Sequence, residues 1–376
     1  MQAEPRYLLI AAQSGRALAQ AARRAGYAPL VADLFRDLDT LELALRHVML
    51  PCDAAGAIAC AGFSAALAAL ADGLAPDSIA GVVCGSGFED RTDLLDDAAL
   101  HAPLLGNNAE ITRGLKHPQR FAKLCLTLEI AHPSITYQPP RDPAGWLVKQ
   151  AGASGGAHVR AARDNEAAQS GRYFQRHITG AAVSALFCGD GRNAQVIGFS
   201  EQWSEGAGAA PFRYAGGAGP LPVAPALAAQ MTQAVQRLTQ ARRLRGLASA
   251  DFIIDVDLPW LLEINPRPGA SLDVFDSEAA PLLRWHIAGC GGALLPYPSP
   301  RAGARAAAIV HAHRSIGSMP ALRWPQWTAD RQPPHSTLTA GAPICTVFAE
   351  STTIEEARAI VTNRVAQIKK TVGGSP

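Results

Sequence analysis

The first hundred residues alternate between short apolar runs and alanine-rich stretches with a helical pattern. The apolar runs, at 7–12, 30–33 and 79–84, predict buried strands. The stretches at 17–25 and 63–71 predict helices between them. Strands and helices at this short spacing predict a doubly wound parallel sheet, which binds its ligands beyond the carboxyl ends of the strands.

Two glycine-containing turns follow predicted strands of this sheet, Ser14-Gly-Arg16 and Gly85-Ser86-Gly87. We expect both at the ligand-binding edge, with ordinary βα loops as the alternative. Neither has the G-x-G-x-x-G spacing of a dinucleotide site, so a dehydrogenase is poorly supported.

From Gly106 onward the pattern changes to that of an α+β unit. Gly246 is expected to end a long helix, and the glycine-rich segment 205–219 to form a flexible loop over a site. The pattern predicts helices at 119–129 and 226–245, strands at 146–149, 173–178, 306–312 and 345–349, a hairpin of 183–189 with 195–203, and a last helix at the capping box Thr353-x-x-Glu356.

The segment 251–269 is the most informative of the chain, because it predicts two apolar strands joined by a tight turn. Side chains alternate between the two faces of a strand. Alternation along the second strand gives one face of Trp260, Leu262 and Ile264 and an opposite face of Leu261, Glu263 and Asn265.

Polar side chains converge where this hairpin ends. If the turn centres on Asp257, Asp251 lies opposite Glu263, whereas a turn shifted by one residue puts it on the wrong face. Two carboxylates and the amide oxygen of Asn265 suit a hard cation such as Mg²⁺, and Arg267 suits a phosphate or carboxylate. A solvated hairpin with a few polar residues is the alternative interpretation.

A lysine precedes a turn of small residues in the middle of the chain. Lys149 ends a predicted strand, and Ala153-Ser-Gly-Gly156 follows it. A turn without side-chain bulk lets the backbone approach a phosphate closely, and a cation beside it is what phosphate chemistry requires.

Composition excludes several classes of function. The 376 residues carry a net charge of +2, which gives no electrostatic reason to bind nucleic acid or an anionic membrane. The seven cysteines form no C-x-x-C pair, which argues against disulfides and structural zinc. No apolar run has membrane-spanning length, and the N-terminus lacks the layout of a signal peptide. We therefore expect a soluble, cytoplasmic protein without nucleic-acid or membrane partners.

Five segments in this order resemble the ATP-grasp superfamily, which includes biotin carboxylase, D-alanine–D-alanine ligase and many carboxylate–amine ligases. The segments are Leu147-Val-Lys149, Ser154-Gly-Gly156, Tyr173 to Gly180, Asp251-Phe-Ile-Ile254 and Leu262-Glu-Ile-Asn-Pro-Arg267. The resemblance implies an ATP-grasp fold that clasps ATP between two α+β subdomains. It implies a central lid subdomain at 106–180 and a C-terminal subdomain at 181–376 with the metal site, after an N-terminal α/β domain at 1–105.

The resemblance also implies the residues of the site. Lys149 and Arg267 would be catalytic, and Arg120 fits the spacing of the second phosphate contact as well as Lys116 does. The implied Mg²⁺ ligands, which would also accept Mn²⁺, are Asp251, Glu263 and Asn265. The implied ATP-binding residues are Lys116, Lys149, Ser154, Gly155, Gly156, Gln175, Arg176, His177 and Ile178.

Two positions depart from the superfamily pattern. The strand beside the adenine usually carries a glutamate, and Gln175 and Arg176 stand there instead, so the ribose contact is not defined. Asp251 occupies a position more often filled by glutamate, which is a conservative change for a cation site.

The two ends of the chain resemble a branch of ATP-dependent carboligases, through Ser14-Gly-Arg16, Ala32-Asp-Leu-Phe35 and the tail at 329–349. A relative in that branch joins glutamate to tyramine in methanofuran-type cofactor synthesis. The resemblance implies an ADP-forming carboxylate–amine ligase that works through an acyl phosphate on a small acid and a small amine. The alternatives are a bicarbonate-activating carboxylase-type enzyme and a non-catalytic nucleotide-binding regulator. A homo-oligomer is compatible with the sequence.

Overall fold

The computed structural model describes residues 6–53, 56–206, 210–296 and 302–373. In the first part of the chain, parallel strands form a sheet in the order β3-β2-β1-β4. The elements there are β1 (Tyr7–Ala11), α1 (Arg16–Arg24), β2 (Ala28–Asp33), α2 (Leu38–Leu43), β3 (Arg46–Met49), α3 (Phe63–Ala71), β4 (Ile79–Cys84) and α4 (Asp93–Ala99).

Helices cover both faces of this sheet. Both faces are apolar, because apolar side chains point alternately to one face and the other along its strands. Leu8 and Ile10 pack in one core with α1, whereas Leu9 and Ala11 pack in another with Phe63 of α3. The doubly wound sheet predicted from the sequence is confirmed.

Two antiparallel sheets follow, a small one in the order β5-β8-β6-β7 and a large one in the order β13-β12-β9-β10-β11-β14-β16-β15. No described strand crosses the domain limits at 105 and 180, which stay predictions. The elements are α5 (Ala109–Lys116), α6 (Pro118–Thr127), β5 (Ile135–Thr136), β6 (Trp146–Gln150), β7 (Arg160–Ala161), β8 (Arg172–Arg176), β9 (Ala181–Asp190), β10 (Ala194–Ser204), β11 (Tyr214–Gly219), α7 (Pro225–Arg242), β12 (Arg245–Asp255), β13 (Leu258–Asn265), α8 (Leu272–Phe275), α9 (Leu282–Cys290), β14 (Ala304–His311), β15 (Thr328–Ala329), β16 (Pro343–Ser351) and α10 (Ile354–Gly373).

The longest of these helices, α10, buries one stripe of its surface. Ile354, Ala357, Val361 and Ile368 pack against the far end of the large sheet. Of the helices in the described ranges, none is both long and apolar enough to cross a membrane.

The long helix ends earlier than the sequence predicts. Arg243 adopts a left-handed φ of 54°, which stops α7 at Arg242, and β12 starts at Arg245. Gly246 therefore does not end the helix. It lies inside β12, where a Cβ atom would be 2.6 Å from Nδ1 of His286.

The expectation of a flexible loop over 205–219 is wrong for the second half of that segment. Residues 207–209 lie outside the described part of the chain, but β11 pairs with β10 on one side and β14 on the other. Glycine is required in this strand, because a Cβ on Gly216 would lie 2.4 Å from the ring of Trp203.

Candidate functional site

A cleft of about 930 Å³ lies where the carboxyl ends of β1 and β4 meet the small and large sheets. Ser14 and Arg16 line it from the turn after β1, and Gly85 and Ser86 line it from the turn after β4. Both turns therefore lie at the edge where a doubly wound sheet binds its ligands.

The hairpin of β12 and β13 pairs Asp251 with Glu263 as the sequence predicts, but through another register. The turn lies between Asp255 and Leu258 and is not centred on Asp257. A β-bulge, which leaves Leu262 as the extra residue, then restores the predicted pair.

The bulge also changes which side chains share a face. Leu261 and Ile264 both pack in the core beneath α7, whereas Leu262, Glu263 and Asn265 line the cleft. The strict alternation predicted for this strand is therefore wrong at the bulge, because one extra residue shifts the phase of the side chains.

Asp251, Glu263 and Asn265 form one polar cluster with Lys116 and Ser184. Asn265 Nδ2 donates to Asp251 Oδ2 at 3.0 Å, and Ser184 Oγ donates to Asp251 Oδ1 at 2.6 Å. Lys116 Nζ donates to Asn265 Oδ1 at 2.7 Å and to Glu263 Oε2 at 3.1 Å. The ammonium group thus lies between the oxygens that the sequence assigns to a metal ion.

Burial and neighbouring charges separate the two carboxyl groups. Burial, and then the charge of Glu263, raise the pKa of Asp251. Burial would raise the pKa of Glu263 as well, but Lys116 and Lys149 lower it below its ordinary value. On acidification the first proton therefore goes to Asp251.

The donors of this cluster fit a hard divalent cation. Asp251, Glu263 and Asn265 offer carboxylate and carboxamide oxygens, which Mg²⁺ prefers, and Mg²⁺ takes its other ligands from phosphates and water. Within the described ranges, no group of three or more His, Cys, Asp or Glu side chains could hold a metal ion by itself. The cluster therefore suits a cation that a bound phosphate helps to hold.

Of the two candidates for a second phosphate contact, only Lys116 lines the cleft. Its side chain is 6% exposed. Arg120, on α6, is exposed outside the cleft lining. The structure thus favours Lys116.

Lys149, on β6, lies across the cleft from the hairpin of β12 and β13. Its Nζ donates to Oε1 of the buried Gln175 at 2.7 Å. Burial lowers the pKa of Lys149, although the negative charge of Glu263 opposes that shift. Gln175, Arg176, His177 and Ile178 all line the cleft, and Arg176 stacks on the ring of Trp146 at 5.6 Å.

The loop of small residues, Ser154 to Gly156, lies against the start of β11. The N–H of Tyr214 donates to the carbonyl of Gly155 at 2.8 Å. A Cβ on Gly156 would lie 2.1 Å from the carbonyl oxygen of Phe212. The loop therefore connects the small and large sheets at one wall of the cleft.

Replacing Gly156 with Ala is expected to release this loop. Gly155 and Gly156 share a φ of +74°, but a Cβ on Gly155 meets nothing within 4 Å. Both Ala variants bear the left-handed backbone cost of about 1–2 kcal/mol, and only Gly156→Ala adds a clash. We expect limited proteolysis to cut residues 150–160 of Gly156→Ala about tenfold faster than those of Gly155→Ala, a ratio that corresponds to ~1.4 kcal/mol. Equal rates would contradict the observed packing.

Arg267 lines the cleft, and its guanidinium is paired with a residue that the sequence analysis missed. Nε of Arg267 donates to Oε1 of Glu89 at 2.8 Å, and Nη2 lies 2.6 Å from the same oxygen. The two residues are 178 positions apart, so no local pattern signals the pair.

The far wall of the cleft holds a second cluster that the sequence analysis missed. Arg16 is 3% exposed, and it bonds Asp273 through Nη1 and Nη2 at 2.5 and 2.8 Å. It bonds Asp330 through Nε and Nη2 at 2.9 and 2.8 Å. Asp37 also lines this wall, and burial, then the charge of Asp330, raise its pKa to about 6. Two carboxyl groups thus bind one guanidinium, and a third lines the same wall. The sequence signals at this wall were the turn containing Arg16 and the tail segment 329–349, which contains Asp330.

Two basic side chains complete this wall, Arg213 and His311. Arg213 precedes β11 beside the loop of small residues, and His311 ends β14. Burial, then the positive charge of Arg213, lower the pKa of His311 to about 4. His311 is therefore neutral near pH 7.

Residues 121–271 match a family model described as the ATP-grasp domain. The fold is similar to the biotin carboxylase domain dimer of the Hydrogenobacter thermophilus 2-oxoglutarate carboxylase in complex with MgADP, ADP and bicarbonate. That similarity has a TM-score of 0.70 and 12% identity, and it covers 95% of this chain and 88% of that chain. The chain is also similar to biotin carboxylase from Campylobacter jejuni in complex with β-γ-ATP (TM-score 0.67, 12% identity, 95% and 90% covered).

Rhizobium etli pyruvate carboxylase is a further neighbour, with a TM-score of 0.71 and 13% identity. The match covers 98% of this chain but only 39% of that chain. At these identities the likeness shows the fold. A comparison with curated protein sequences finds no match.

Proposed function

We propose that this chain, which carries an ATP-grasp domain, is an ATP-dependent ligase that activates a carboxylate as an acyl phosphate and joins it to an amine. The observation that carries the proposal is the cluster of Asp251, Glu263 and Asn265 with Lys116 and Lys149 in one cleft. Oxygen donors for a hard cation and buried ammonium groups for phosphates are what phosphoryl transfer requires.

The proposed reaction has two steps. A carboxylate oxygen attacks the γ-phosphorus of ATP, the bond to the β–γ bridging oxygen breaks, and ADP leaves. The amine nitrogen then attacks the acyl carbon and loses a proton, and inorganic phosphate leaves. Mg²⁺, when bound, offsets the charge of the phosphates and aligns them.

The residues of the cleft have separate roles in this scheme. Asp251, Glu263 and Asn265 would hold the metal ion. Lys116 now bonds two of these three side chains, Asn265 and Glu263, and its ammonium group would turn to the phosphates when they hold a cation. Lys149, on the opposite wall, would contact the phosphates as well.

The acidic far wall supports an amine as the second substrate. The three carboxyl groups of this wall, Asp37, Asp273 and Asp330, outnumber its two guanidinium groups, Arg16 and Arg213, so a cation entering this part of the cleft is electrostatically favoured. Bicarbonate, the substrate of a carboxylase-type enzyme, carries the opposite charge. The amine ligase is therefore our first choice and the bicarbonate-activating enzyme the second.

As the pH rises, binding of Mg·ATP is expected to weaken at a lower pH than it would with a lysine of ordinary pKa. Only the charged form of Lys149 attracts phosphate, and its pKa lies below the ordinary 10.5, so the charge is lost at a lower pH as the pH rises. Titration calorimetry from pH 7 to 10 should show this decline. In Lys149→Arg it should move to higher pH, because a guanidinium stays charged. A decline at the same pH in both proteins would assign it to another group.

The experiment that tests the proposal is ADP release with pooled acids and pooled amines. One arm contains glutamate and tyramine, the pair used in methanofuran-type synthesis. A ligase releases ADP only when an acid and an amine are both present, and mass spectrometry shows their amide. Release with bicarbonate alone supports the carboxylase-type reaction, and tight binding of ATP without release supports a regulator. We further propose that the enzyme acts in the cytoplasm, as a homo-oligomer.

A further inference from the structure

Glu89 follows the Gly85-Ser86-Gly87 turn and is almost fully buried, at 5% exposure. The N–H of Gly87 donates to its Oε2 at 2.8 Å. Gly87 has a left-handed φ of 106°, and a Cβ there would lie 2.9 Å from Cδ1 of Ile58. The turn is therefore tight, and it fixes the direction in which the Glu89 carboxylate points.

The Glu89 carboxylate binds one edge of the Arg267 guanidinium. Nε and Nη2 of Arg267 both contact Oε1 of Glu89, at 2.8 and 2.6 Å. Nη1 donates to the carbonyl of Pro268 at 3.3 Å. A guanidinium has five N–H donors, so these contacts leave one N–H on each terminal nitrogen. Two adjacent N–H groups match the two oxygens of a carboxylate or phosphate.

Electrostatics hold Glu89 in this arrangement. Burial alone would raise the pKa of Glu89, but the charges of Arg267 and Lys116 lower it below its ordinary value. The carboxylate is therefore ionised and paired. Next to it, Asp90 packs against Gly152, where a Cβ would lie 2.8 Å from Cβ of Asp90. The backbone at Gly152 therefore approaches Asp90 closely, with no room for a side chain between them.

We infer that Glu89 is a positioning residue for Arg267, which holds one edge of the guanidinium so that the other edge faces the reacting phosphoryl group. The inference rests on the proposed function, because it gives Arg267 a role in the phosphoryl step. It gives the glycine turn of the N-terminal sheet a part in the proposed phosphoryl step beside Arg267.

The test compares Glu89→Gln and Glu89→Asp with the wild-type protein. Glu89→Gln keeps the size of the side chain and removes its charge, and Glu89→Asp keeps the charge and shortens the reach. We expect Glu89→Gln to lower the rate of ADP release at saturating substrates about 10- to 100-fold, with partial recovery in Glu89→Asp. The Kd of Mg²⁺ with a non-hydrolysable ATP analogue should change by less than about threefold. Glu42→Gln is the surface control, because it removes the charge of a glutamate that pairs with Arg331 at 2.9 Å outside the cleft.

A separate signal decides the geometry without turnover. The ¹H–¹⁵N signal of the Arg267 Nε–H group is assigned by its loss in Arg267→Lys. The proton of this group should exchange slowly with water in the wild type and quickly in Glu89→Gln. Equal exchange in both proteins, or a Glu89→Gln enzyme with normal turnover, would overturn the inference. If the wild type turns over no acid and amine, the proposed function fails, and the resonance still shows whether Glu89 holds Arg267.

Discussion

Replacing Glu263 with Gln is expected to lower Mg²⁺-dependent ATP turnover about 100- to 1,000-fold, the range seen when one preorganised charge-stabilising group is removed. The variant removes a negative oxygen donor from the proposed metal site and keeps the shape of the side chain. Its fold should persist, because the Glu263 side chain is 39% exposed and Lys116 keeps its bond to Asn265.

Asp255→Asn is the matched control for this prediction. Asp255 is an exposed carboxylate on β12, at the far end of the same hairpin and outside the cleft. It should leave turnover unchanged. Steady-state ADP release over a range of Mg²⁺ concentrations measures both variants. A Glu263→Gln protein with a normal rate and a normal Mg²⁺ requirement would show that this cluster is not the metal site.

Replacing Arg267 is expected to slow the phosphoryl step more than it weakens binding of ATP. The two N–H groups that remain after the contacts to Glu89 and Pro268 would stabilise charge that develops only during transfer. We expect Arg267→Ala to lower kcat about 100- to 1,000-fold. The Kd of Mg·ATP should stay nearly unchanged, because the proposed function gives the ground-state contacts to Lys116 and Lys149.

The Arg267→Ala variant also leaves Glu89 buried without its partner, which costs about 3–5 kcal/mol of stability. Arg267→Lys avoids this, because it keeps a charge beside Glu89 but lacks the paired N–H groups. Both variants should be slow in single-turnover ADP formation, and Arg237→Ala, on the outer helix α7, should not. An Arg267→Lys enzyme that loses ATP affinity and keeps its kcat would contradict the assignment.

The local pattern of apolar and polar residues was sufficient to predict most strands and helices of the fold. The apolar run that predicts β4 and the stretch that predicts α3 match their observed limits, Ile79–Cys84 and Phe63–Ala71. Errors arose where a distant neighbour overrides the local preference. Glycines in 214–219 favour a loop when read along the chain, yet the strand needs Gly216 because Trp203 packs against its backbone.

The site was predictable where its residues lie on one hairpin and unpredictable where they meet across the fold. The pair of Asp251 and Glu263 was predicted from a turn centred on Asp257, but the observed turn pairs them only because of the bulge at Leu262, which depends on packing that no alternation pattern contains. Glu89 lies 178 residues from Arg267, and Asp330 lies 314 residues from Arg16. Only the folded sheets bring such pairs together.

The position of the metal ion relative to Asp251, Glu263 and Asn265 tests the proposed site most directly. Crystals grown with Mn²⁺ and a non-hydrolysable ATP analogue locate the metal ion by its anomalous scattering. We predict one peak about 2.0–2.3 Å from oxygens of Glu263 and Asn265 or Asp251, with Lys116 moved onto a phosphate. A nucleotide bound elsewhere, or a metal ion that leaves Lys116 on Asn265 and Glu263, would contradict the account.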